Sequence, residues 1–105
     1  MTPPPLTPQQ RADALQKARQ VRGERAEVRA NLKNGTVTLA QVIATADEND
    51  VIAKMKVFSL LTAVPGVGQA RAEKIMTRNG IAGSRRIRGL GANQRAGLLS
   101  EHALA

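Results

Sequence analysis

Arg85, Arg86 and Arg88 fall within four positions of one another in the run Arg85-Arg86-Ile87-Arg88-Gly89-Leu90-Gly91. A guanidinium group is a planar fork of N–H donors that matches phosphate oxygens, so three of them on one tight turn are suited to a polyanion. Ile87 and Leu90 are spaced to anchor the turn in a core while the arginines face out. Related chemistry lies upstream, in Val64-Pro65-Gly66-Val67-Gly68. Pro65 cannot continue a helix, because it lacks a backbone N–H and its ring clashes with the preceding turn. Gly66 and Gly68 permit a tight reversal, including positive φ. The helix that follows, at about 69–79, then starts at the surface with unpaired N–H groups, and such a start binds anions. Ala70, Ala72, Ile75 and Met76 are expected to turn inward from it, with Arg71, Lys74 and Arg78 keeping its outer side basic. Taken alone, this turn has two readings: a phosphate cradle, or a hairpin whose glycines only save space. The arginine turn that follows favours the cradle.

Helices must position both turns. Asn79-Gly80 supplies a left-handed cap, residues 81–83 make a short connection, and a last helix is expected at about 93–102. At the other end, Thr7-Pro8-Gln9-Gln10 reads as a helix start. Thr7 caps, Pro8 suits the first helical position, and Gln10 completes a capping box. Nothing stops this helix before Asn34-Gly35, so it spans about 39 Å at 1.5 Å per residue. A chain of 105 residues cannot cover so long a helix, and part of it must project. At 100° per residue, Arg11, Arg19, Arg22, Arg25, Arg29 and Lys33 share one sector, with Asp13, Glu24 and Glu27 roughly opposite. Ala14, Val21, Val28 and Leu32 form a narrow apolar stripe, convincing only in the second half, which is therefore expected to dock. Solvated helices usually mix signs to pair at i, i+4, so the separation of bases from acids argues for a polyanion-facing sector. Gly23, inside this helix, costs about 1 kcal/mol relative to Ala.

Thr38-Leu39-Ala40-Gln41 repeats the capping box and sends Leu39, Val42, Ile43 and Ala46 inward. Asp47-Glu48-Asn49-Asp50 opens the next helix, which carries Val51, Ile52 and Met55. Their spacing fits no calcium loop, and carboxylates at a helix start are stabilised by its dipole. Lys54 and Lys56 follow, and then Val57, Phe58, Leu60, Leu61 and Val64 lead into the hairpin. The fold class is all-α: a long N-terminal helix plus a compact five- to six-helix domain around Phe58, Leu61, Ile75, Met76 and Leu90. The expected divisions are a flexible proline-rich tail at 1–7, a long basic helix at 8–33 and a compact domain at 34–105, with the two-turn element at about 57–102.

The net charge of +8 and pI of about 11.4 also point to a polyanion. There is one aromatic residue, Phe58. Single-strand binders stack bases on several aromatic side chains, so a duplex backbone is the better target. The absence of cysteine excludes disulfides and cysteine zinc sites and is compatible with a reducing cytoplasm. No run is apolar enough for a bilayer, and no signal-peptide core is legible. His102 is a lone histidine with no partner for general-base or metal work, so it is expected to be a capping or surface residue. No catalytic residue, cofactor or metal is expected.

The run VPGVGQARAEKIMTRNGIAGSRRIRGLGANQRAGLL resembles the helix–two-turn–helix module of a ribosomal small-subunit protein and of some DNA-repair glycosylases. With NDVIAKMKV upstream, the chain resembles the actinobacterial, mycobacterial-type integration host factors over nearly its whole length, least before Arg11. The resemblance implies a nucleoid architectural protein that binds and bends double-stranded DNA, largely independently of sequence, and serves chromosome organisation and phage integration. It implies a monomer in the cytoplasmic nucleoid, meeting a phage integrase complex or other nucleoid proteins through DNA. It also implies that Arg85, Arg86 and Arg88 contact DNA, with the long basic helix as the second contacting element. The expected site therefore comprises these three, Gly66, Val67, Gly68, Arg71 and Lys74 at the hairpin, Arg22, Arg25, Arg29 and Lys33 on the long helix, and Lys54 and Lys56 between them. Glycosylase chemistry is not carried over. Enzymes with this module use an N-terminal proline nucleophile and usually a cysteine zinc finger, whereas here the first proline is third and cysteine is absent. Glycosylase–lyases built on a helix-hairpin-helix use an aspartate after the hairpin, and the only acid after Glu73 is Glu101. The alternatives are an RNA-binding or ribosome-associated protein, and a basic helix that docks on an acidic protein surface.

Overall fold

In a computed structural model, which describes residues 4–101 and Leu104, the chain is all-α. α1 (Pro8–Lys33) opens on a complete capping box: the Gln10 N–H donates to Thr7 Oγ1 at 3.1 Å and the Thr7 N–H to Gln10 Oε1 at 3.0 Å. α2 (Leu39–Thr45) opens the same way on Thr38 and Gln41. α3 (Asp50–Ala53) is capped by Asn49, whose Oδ1 accepts from the N–H groups of Val51 and Ile52. α4 (Val57–Leu61), α5 (Gln69–Arg78), a 3₁₀ turn (Ile87–Gly89) and α6 (Ala92–Ser100) follow. α6 stops at Ser100, short of the expected 102, and the reading of His102 lies outside the described residues.

The core is assembled from short apolar faces at i, i+3 and i+4. Val57, Leu60, Leu61, Ile75, Ile87 and Leu98 are its largest fully buried side chains. Leu61, Ile75, Met76 and Leu90 are buried as the sequence suggests, but Phe58 is only half-buried, packed against the edge. The inward face of α4 is Val57, Leu60 and Leu61, and Phe58 sits one residue off it. Ala70 is exposed for the same reason, since α5 buries Ala72, Ile75 and Met76. α1 lies against α3 and α4 through its second half. Leu32 is buried and Val28 packs on the core, whereas residues 4–17 are exposed throughout. That projection stretches the molecule to 50 × 33 × 26 Å.

The ends of α5 and α6 are clasped together. Arg78 donates two hydrogen bonds to Glu101, at 3.2 and 2.7 Å, and Asn79 Nδ2 donates to Ile75 O and to Glu101 Oε1. The Arg78 hydrogen bond is the main reason that the Glu101 carboxyl titrates below its ordinary range, and Glu101 raises Arg78 in turn. Arg78 is thus a paired cation, not the free one its place on α5 suggests. Gln94 Nε2 donates to Gly80 O at 2.9 Å and draws the start of α6 onto the same corner.

The glycines of the hairpin are not equivalent. Gly66 has φ +80°, in the left-handed region, as do Gly35 and Gly80 after α1 and α5. Gly68 is the N-cap of α5 at φ −87°, where any residue fits, and no atom lies within 4 Å of a Cβ built there. The expectation that both glycines allow for positive φ therefore holds only for Gly66. Gly97 is demanded by packing, since a Cβ there would collide with the Asn79 side-chain oxygen. Gly66→Ala is expected to cost about 1–2 kcal/mol, Gly97→Ala about 1–3 kcal/mol, and Gly68→Ala less than about 0.5 kcal/mol. Urea midpoints of the three variants check this ranking. Equal losses at Gly66 and Gly68 would contradict it.

Candidate nucleic-acid interface

The arginine turn is fixed to the α3–α4 connection by backbone pairing. The Val57 N–H donates to Arg85 O and the Ile87 N–H to Met55 O, both at 3.0 Å, forming an antiparallel bridge between Lys56 and Arg86. Arg86 Nη1 also donates to Lys54 O at 2.6 Å, closing the last turn of α3. This brings Lys54, Lys56 and Arg86 opposite α1, where Arg29 Nε donates to Ser59 O at 3.3 Å. An open groove of about 220 Å³ results, lined by Arg25, Arg29, Lys54, Met55, Lys56, Ser59 and Arg86. Arg25 Nε is buried there without a protein acceptor.

A second cleft, of about 520 Å³, runs between α1 and the hairpin. Ala26, Arg29, Ala30 and Lys33 form one wall and residues 62–68 the other. The small side chains of Ala26 and Ala30 leave the cleft open. α5 begins at Gly68 with no side-chain cap, so its first N–H groups remain available to an anion. Arg71 Nη1 donates to Gly66 O at 3.1 Å and braces the hairpin from outside. Val67 lines the cleft but is buried, with 4% exposure.

Arg29 lines both clefts and joins them into one face. That face collects Arg25, Arg29, Lys33, Lys54, Lys56, Arg86, Gly66, Val67 and Gly68, and no carboxylate lines it. The other expected residues lie elsewhere. Arg85 folds across its own turn, with Nη1 donating to Gly89 O at 3.1 Å. Arg88 belongs to a neighbouring cleft with Asp47, Glu48, Asp50 and Arg95. Arg22 on α1 and Lys74 on α5 are exposed but line neither cleft of the basic face. The three arginines diverge because only Arg88 lies in the 3₁₀ turn that buries Ile87, whereas Arg86 is the extended N-cap of that turn, held in the bridge to Lys56, and Arg85 precedes it. Sequence reasoning missed the Ser59 carbonyl and the alanine wall, which carry no local signal. Among the described residues, no group of three or more His, Cys, Asp or Glu side chains could hold a metal ion, and no helix is long and apolar enough to cross a membrane.

The model of the S13-like H2TH domain family matches residues 32–102. The chain is 57% identical over 101 residues to the integration host factor of Streptomyces coelicolor, covering 96% of this chain and 94% of that protein. It is 48% identical over 105 residues to the integration host factor of Mycobacterium tuberculosis, covering 100% of both. A solved structure described as sIHF bound to an 8 bp palindromic DNA superposes with a TM-score of 0.78 at 55% identity, over 80% of this chain and 94% of that one.

Proposed function

The chain belongs to the actinobacterial integration host factor family, built on an S13-like H2TH domain, and from that premise we propose that it is a non-catalytic architectural protein that binds and bends double-stranded DNA in the nucleoid. The observation that carries this reading is the acid-free face on which Arg29 joins the hairpin cleft to the second-turn groove. Its groups are suited to phosphates: Arg and Lys side chains at both clefts, and backbone N–H groups at the start of α5. Phosphate contacts position a protein without reading bases, so binding is expected to be weakly sequence-selective. The description of a similar protein as bound to DNA supports the same partner. The face is formed by a long helix and by turns of the body on which that helix docks, and a straight rod fits both only where they are level. Bending a short site by tens of degrees costs of order 1–6 kcal/mol, which additional phosphate contacts offset. A bent duplex is also what an integrase complex or other nucleoid proteins on the same DNA would share, which gives the monomer a role in phage site-specific integration.

Energy transfer between the ends of a labelled duplex tests the bending, and competition tests the partner. Saturating protein is expected to shorten the end-to-end distance, and duplex DNA to outcompete structured RNA of equal charge at fixed salt. An unchanged distance refutes bending. Preference for the RNA would favour the ribosome-associated alternative.

A further inference from the structure

We propose that Asp50 is an intramolecular competitor of the nucleic-acid backbone: its carboxylate holds Lys54 in the free protein and lowers affinity, because a phosphate must displace it. The inference rests on the duplex-binding reading above. Three ion pairs occur among the described residues, Lys54–Asp50, Arg78–Glu101 and Arg95–Asp47, and only the first uses a cation of the basic face. Lys54 Nζ lies 2.9 Å from Asp50 Oδ2. The Asp50 side chain is 78% exposed and that of Lys54 47%, so burial does not lock the pair and an incoming anion reaches both groups.

The backbone of Lys54 is fixed by the hydrogen bond from Arg86 to its carbonyl. Only its side chain is free to move, between Asp50 one helical turn back and the groove it lines with Arg25, Arg29, Lys56 and Arg86. The charges around Asp50 fit this role. Lys54, Arg88 and Lys17 hold its carboxyl below the ordinary aspartate range, the Lys54 hydrogen bond foremost. Asp47, Glu48 and Arg95 share its cleft. Asp50 thus lines the cleft that holds Arg88 while it pairs with Lys54 of the basic groove, so a phosphate approaching Lys54 meets a negative charge already paired to it. A purely structural role at the start of α3 is less demanding, since Asn49 already caps that four-residue helix.

Asp50→Asn in the full chain tests the inference, with Asp13→Asn as the control for net charge. Asp13 lies on the projecting half of α1, where it accepts a hydrogen bond from Gln9. At fixed salt, Asp50→Asn is expected to tighten binding to a 20 bp duplex about three- to fivefold, the scale of one exposed ion pair. Asp13→Asn should change it less than about twofold, the share left to distant screened charge. In the Lys54→Ala background the gain from Asp50→Asn should vanish. Equal gains at both aspartates would reduce the effect to net charge and overturn the proposal. So would a lower melting temperature without tighter binding, or a gain that survives loss of Lys54. Failure of the inference alone leaves wild-type binding intact; a wild-type chain that ignores duplex DNA overturns the duplex-binding reading and the inference with it.

Discussion

Raising monovalent salt from 50 to 200 mM is expected to weaken binding to duplex DNA about a thousandfold. Six cations, Arg25, Arg29, Lys33, Lys54, Lys56 and Arg86, line the two clefts. Each phosphate they neutralise releases condensed counterions and contributes about −0.9 to the slope of log K against log salt, so six give a slope of about −5. A fourfold rise in salt then lowers the affinity by about three orders of magnitude. Anisotropy titrations of a labelled duplex at four or five salt concentrations give the slope directly. A slope shallower than about −2 would mean that the clefts do not engage the backbone together. Tight, salt-insensitive binding to one operator would mean that base readout, not phosphate contact, dominates.

Ile87→Ala and Arg88→Ala, adjacent in one turn, are expected to fail in opposite ways. Ile87 is 1% exposed, and its N–H donates to Met55 O in the bridge that fixes the arginine turn. Removing its branched side chain leaves a cavity and costs about 2–5 kcal/mol. That is a large part of the roughly 5–15 kcal/mol that holds a domain of this size together. Weaker DNA binding should follow from displacement of Arg86 and Lys56, with the charge of the face unchanged. Arg88 is exposed, so Arg88→Ala should leave stability within about ±0.5 kcal/mol. Any loss of affinity there reports charge alone. Urea unfolding and duplex titration of both variants separate the two effects. An Ile87→Ala protein with a wild-type unfolding midpoint would refute the assignment of Ile87 as the anchor of the turn.

Chemistry that acts within one helical turn is legible in the chain by itself. Thr7 with Gln10 and Thr38 with Gln41 start α1 and α2, Asn-Gly pairs end α1 and α5, and the 3.6-residue spacing of apolar side chains makes the protein all-α. Those signals are local because a cap or a turn is satisfied by atoms three or four residues away. What only the tertiary structure decided depends on atoms far apart in sequence. Arg78 loses its free charge to Glu101, 23 residues on, and Arg86 closes α3 through Lys54 O, 32 residues back. Arg29 belongs to both clefts only because α1 lies along the hairpin and the α3–α4 connection together. Phe58 is turned to the edge and Val67 into the core by the few apolar positions that short helices and turns can bury. The divergence of Arg85, Arg86 and Arg88 has the same origin. Their closeness in sequence does not determine where they point, because once Ile87 is buried the backbone around it sets the direction of each neighbour.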